Sequence, residues 1–112
     1  MAKELEYPWQ RDEIRDLIEV ALDTPEARRN YPQGFDEWIE DLDDLTLDGA
    51  HVVFGRSLRT TTEVDAVYAF LDCRNSMLVS CHDFDALESH PRWPELVARA
   101  HTAVTVLAPD SN

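Results

Sequence analysis

From Phe35 to Leu45 the apolar residues Phe35, Trp38, Ile39, Leu42 and Leu45 recur at the spacing of one helical face, and every remaining position is acidic: Asp36, Glu37, Glu40, Asp41, Asp43 and Asp44. A segment patterned this way can bury only one side. It is committed to an amphipathic helix laid on a core, with its charges turned outward. The wider stretch 30–55 holds no Lys or Arg and adds a seventh acid, Asp48, so seven carboxylates of a chain with net charge −13 sit there.

The pattern works against helix formation as well as for it. Asp36–Glu40, Glu37–Asp41 and Glu40–Asp44 are four residues apart, and Glu37–Glu40, Glu40–Asp43 and Asp41–Asp44 are three apart. Like charges at these spacings each cost a few tenths of a kcal/mol, together roughly 1–3 kcal/mol. Asp43 and Asp44 also lie near the helix C-terminus, where the macrodipole disfavours negative charge. A face that is only solvated ordinarily intersperses Lys or Arg. The alternative is that the acids keep the chain soluble while Arg28, Arg29, Arg56 and Arg59, which flank the stretch, screen them.

The remaining chain supplies a core for this helix. With 44% apolar residues, three Trp, four Phe and three Tyr, it is not an acidic disordered tail. At 112 residues it reads as one domain, 1–112. Ile14, Leu17, Ile18, Ala21 and Leu22 predict a first helix after Tyr7-Pro8-Trp9. Thr24-Pro25-Glu26 reads as a capped helix start, closed by Asn30 and Pro32. Thr60, Thr61 and Thr62 offer caps for a helix carrying Val64, Val67, Tyr68, Leu71 and Leu78. Asp83 caps a short turn through Leu87, and Pro94 opens a last helix carrying Leu96, Val97, Ala100, Val104 and Leu107, stopped by Pro109. Ala50–Phe54 is β-branched and aromatic enough to predict a short strand ended by Gly55. The expected fold is mainly α, a small compact helical domain with one short β element. It becomes α+β if Ala50–Phe54 pairs with Ser76–Cys81.

Chemistry is harder to find. Cys73, Cys81, His82 and His90 form the one metal-like set, but their C-x7-C-H-x7-H spacing lacks the close pairs that let one turn present two ligands. Adjacent Cys81 and His82 point apart in regular structure, which also disfavours a nucleophile–base pair. Asp44-Leu-Thr-Leu-Asp48-Gly49 imitates the start of a calcium loop, yet position twelve is Gly55 rather than Glu and position eight is His51. Gly-rich phosphate loops, GxSxG and HExxH are absent from the sequence. No catalytic residue, metal or cofactor is therefore assigned. The first six residues, Met-Ala-Lys-Glu-Leu-Glu, lack the apolar stretch of an export signal, so two free thiols and a cytoplasmic location are expected.

The block His90-Pro91-Arg92-Trp93-Pro94-Glu95-Leu96-Val97-Ala98-Arg99-Ala100 resembles the C-terminal signature of a family of small acidic actinobacterial proteins of unassigned function. The acidic helix, followed by Glu63-Val64 opening a helix toward Leu71-Asp72, is similar to the same family. The likeness brings no catalytic residues. By size and acidity such proteins resemble immunity proteins that neutralise basic toxin domains. The function expected is thus stoichiometric binding of a basic protein, of the immunity or antitoxin kind, through Asp36, Glu37, Glu40, Asp41, Asp43, Asp44 and Asp48. Two other readings are a DNA mimic that blocks a nucleic-acid-binding protein and a small metal-dependent enzyme using Cys81, His82 and His90. Direct binding to nucleic acid or an anionic membrane is opposed by the charge.

Overall fold

The computed structural model describes residues 5–31 and 34–108. The expected helix stops at Pro32 and Pro109 lie outside the described residues. Seven helices run in chain order among those described: Pro8–Glu19 (α1), Pro25–Arg29 (α2), Gly34–Thr46 (α3), Ala50–Arg56 (α4), Thr61–Leu78 (α5), Phe84–Ser89 (α6) and Trp93–Val106 (α7). A 3₁₀ turn, Val20–Leu22, extends α1. The fold is mainly α, and no described helix is long and apolar enough to cross a membrane.

The helix starts follow local chemistry. Thr24 Oγ1 accepts the Ala27 N–H at 3.1 Å, Thr60 Oγ1 that of Glu63 at 3.1 Å, and Asp83 Oδ1 that of Ala86 at 2.7 Å. Each satisfies one of the amides that a helix leaves without an internal partner. Trp93 opens α7, one residue before the expected Pro94, which takes the second position. His90 prepares that turn, since its Nδ1 accepts the Arg92 N–H at 3.0 Å and its carbonyl accepts the Trp93 N–H at 2.9 Å.

The strand expected at Ala50–Phe54 does not form. Gly49 O instead accepts the N–H groups of Val52 and Val53, at 3.2 and 3.1 Å, and starts the helical turn of α4. The turn breaks at Phe54 (ψ 113°) and at Gly55, whose φ of 92° lies in the left-handed region open to glycine. A strand needs a paired ladder, and the segment that was to provide one is occupied. Ser76–Leu78 completes α5, while the amides of Ser80 and Cys81 both bond to Met77 O at 3.1 Å. A single bridge between Phe54 and Leu58 is all the β pairing among the described residues.

α5 and α7 pack most extensively on one another, and α1 lies against α7 and α3. Ile14 and Ile18 of α1, Trp38 and Leu42 of α3, Val67, Phe70 and Met77 of α5, and Leu96 and Ala100 of α7 are fully buried in one cluster. One ion pair fastens three elements around this core. Buried Arg11 donates from Nη2 to Glu63 Oε2 at 2.9 Å and from Nε to the same carboxylate at 3.2 and 3.3 Å. Its Nη2 also reaches the carbonyls of Val106 and Ala108, at 3.4 and 3.3 Å, where a cation suits the end of α7. Glu63 meanwhile accepts the Arg59 amide at 2.8 Å ahead of α5. Glu63→Ala is expected to cost about 3–5 kcal/mol in urea denaturation, because it strands the Arg11 charge in a buried site. A loss below about 1 kcal/mol, the scale of an exposed pair, would show that Arg11 stays hydrated.

Candidate functional site

The acidic helix forms as its pattern requires. Trp38 and Leu42 are fully buried, and Phe35, Ile39 and Leu45 pack partly buried beside them. The Trp38 indole donates from Nε1 to Leu17 O at 2.6 Å, and its ring lies 6.1 Å from Phe35 and 5.3 Å from Phe84. This fixes which way α3 is rotated. Asp36, Glu37, Glu40 and Asp44 are consequently exposed, and Asp41 and Asp43 half-buried.

The seven expected contact residues divide into two groups. Asp43 accepts a hydrogen bond from Nη2 of Arg74, a fully buried side chain of α5. Asp48, beyond the end of α3, accepts from Arg56 Nη1 at 2.7 Å. These two carboxylates hold α3 to its neighbours. Asp36, Glu37, Glu40, Asp41 and Asp44 have no ion pair among the described residues.

Screening by the flanking arginines is mostly not what they do. Arg28 is buried, donates to Glu88 Oε1 at 2.6 Å and to backbone carbonyls of Ala21 and Asp23, and lies 4.8 Å from the centre of the Trp93 ring. Arg29 pairs with Asp85 at 3.4 Å and Arg59 with Glu63 at 3.8 Å. Only Arg56 of the four reaches an acid of the stretch. Each of the nine arginines has a carboxylate partner, including Arg15–Glu19, Arg92–Glu95 and Arg99–Glu95. The five free acids of α3 are the excess left after that pairing.

The negative field spreads beyond α3. Burial pushes the Tyr31 phenol above its ordinary value of 10.0, and Asp41, Glu13 of α1 and Glu37 push it further. Glu13 and the groove residues Asp72 and Leu47 belong to this surface, with Asp43, Thr46 and Tyr68 lining the same groove. Sequence reading missed them because they come from different elements. Glu13 sits within the expected first helix, but nothing local signals that α1 and α3 lie side by side.

The metal-like set does not converge. Cys73 and Cys81 are free and buried, His82 is exposed, and the His90 ring is engaged with the Arg92 amide. No group of three or more His, Cys, Asp or Glu among the described residues is arranged to hold a metal ion. Burial pushes the Cys73 thiol up, with Glu95 adding to the effect and Arg92 opposing it. A thiol held protonated is a poor nucleophile. Asp44 and Asp48 do not form a calcium loop either, since Asp44 is still within α3 and Asp48 is tied to Arg56. In comparisons with family models, curated proteins and solved structures, nothing matches this chain.

The Tyr31 phenol reports the local field. Its folded state favours the neutral form, so its contribution to stability is present below the ordinary tyrosine value near 10 and is lost as pH rises through the folded value. Asp41→Asn should lower the folded pKa of Tyr31 part of the way toward 10.0, the burial effect remaining. An NMR or absorbance titration checks this; an unchanged pKa would mean that solvent screens the acids fully.

Proposed function

We propose that the protein is a stoichiometric binding protein of the immunity or antitoxin kind, whose acidic face covers a cationic surface on a basic partner. The observation that carries the reading is the charge excess on α3. Five carboxylates occupy one anchored helical face, every arginine is paired, and the five remain without a counter-charge among the described residues. Such an arrangement opposes folding by up to roughly 1–3 kcal/mol and favours an oppositely charged surface brought from outside. The resemblance of the His90–Ala100 block to small acidic actinobacterial proteins, and of those proteins in size and charge to immunity proteins, points the same way. A toxin neutralised in this manner loses access to its own anionic substrate because the groove is filled.

Long-range attraction gives such a complex a fast association rate that falls with salt. The partner is sought by retention from a lysate of the source organism at low salt, with graded salt elution and mass spectrometry. One basic protein retained to moderate salt is expected. Reversing three free acids together, with Glu40→Lys, Asp41→Lys and Asp44→Lys, should slow its association at least tenfold at low salt and flatten the salt dependence. The reading fails if that variant binds the same protein as wild type does, or if no basic protein is enriched. Inhibition of many unrelated DNA-binding proteins would instead assign the face to phosphate mimicry.

A further inference from the structure

Among the described residues, four of the five exposed large apolar side chains, Tyr7 (41%), Trp9 (58%), Leu47 (77%) and Val52 (36%), lie on two short segments of the chain; the fifth is Val79. These segments are held together. The amides of Glu6 and Tyr7 donate to the carbonyls of Gly55 and Arg56, at 3.1 and 2.8 Å. Arg56 in turn reaches back to Asp48 at 2.7 Å and to Leu45 O at 3.4 Å. The start of α1, the end of α4 and the end of α3 thus meet at one pole of the molecule. The Tyr7 and Trp9 rings stand edge-on, 6.4 Å apart, outside the buried cluster.

Among the described residues, the carboxylates at this pole outnumber the cations. Glu6, Asp12 and Glu13 are exposed beside the aromatic pair, and Asp44 beside Leu47, where Asp48 is already tied to Arg56. The nearby arginines are already used, Arg11 with Glu63 and Arg56 with Asp48. Two aromatic faces and an aliphatic side chain rimmed by carboxylates suit a guanidinium that stacks on a ring while its neighbours in sequence contribute apolar contact. Exposed Trp and Tyr are also the residue types that dominate binding energy once covered, whereas surrounding charges chiefly set the association rate.

We infer that this pole, formed by Tyr7, Trp9, Leu47 and Val52, is the anchor point for an arginine-bearing apolar segment of the basic partner. The inference rests on the basic-partner reading and adds to it where the affinity resides. The α3 acids steer the partner in; the pole holds it.

The test uses the full chain and a synthetic helical peptide with Arg along one face and Leu along the other. Shifts of backbone, indole and methyl signals are followed by NMR at low and moderate salt. The expected result is salt-sensitive, saturable binding that moves the Trp9 indole and the Leu47 and Val52 methyl signals. The variant Trp9→Ala/Leu47→Ala, altered only at exposed positions, should bind at least tenfold more weakly with the same salt dependence. Salt-sensitive shifts confined to the Asp36–Asp44 face would overturn the anchor and leave the acidic reading standing. Binding at the pole that salt does not change would overturn the basic-partner reading itself. Pole signals that move with protein concentration alone would assign the surface to a second copy of the chain, and absence of saturable binding would remove both readings.

Discussion

Burial of Trp38 is the interaction on which the arrangement depends. An isolated helix of 13 residues is marginal in water even with a favourable sequence, and α3 carries six mutually repelling acids. What holds it is tertiary: a fully buried indole with its N–H bonded to Leu17 O, a ring packed on Phe35 and Phe84, and Leu42 buried one turn on. Burying one large side chain is worth about 1.5–3 kcal/mol, enough to offset the repulsion of the whole row. The same contact sets the helix rotation, so the side that faces solvent is the charged one.

The use of arginine explains why that charge persists. Arg11, Arg28 and Arg74 are buried and join elements far apart in sequence, each through a carboxylate. Arg74 shows the division of labour within α3, since it takes Asp43 into the architecture and leaves Glu40 and Asp44, at neighbouring helical positions, in solvent. Acids that belong to the fold and acids that are surplus to it therefore alternate along one short helix. Charge density alone does not separate them.

Much of this was legible in the sequence because the signals are local. The faces of α1, α3 and α7, the caps at Thr24, Thr60 and Asp83, and the burial of Trp38 all follow from spacing and residue type. Ala50–Phe54 misled because β propensity describes a fit to a sheet, and among the described residues there is no strand to pair with it. The run Thr60–Thr62 left the start of α5 open among three caps; the Thr60-x-x-Glu63 spacing, similar to a capping box, is the signal that singles out Thr60, although Glu63 bonds the amide of Arg59 instead of the cap's own. The Asp43–Arg74 pair had no local signal at all. Its partners are 31 residues apart, and only the packing of α3 near α5 brings them together.

The most direct test is the unfolding free energy of wild type against the variant Glu37→Gln/Glu40→Gln/Asp44→Asn, measured in urea at low salt and near 1 M salt. These three changes remove every like-charged pair at three- and four-residue spacing in α3 while leaving Asp43 with Arg74. If the face is retained at a cost to folding, the variant is more stable by about 1–2 kcal/mol at low salt, and the difference shrinks toward zero when salt screens the wild-type row. A variant no more stable than wild type at low salt would contradict the account, because the acids would then carry no cost that binding is needed to explain.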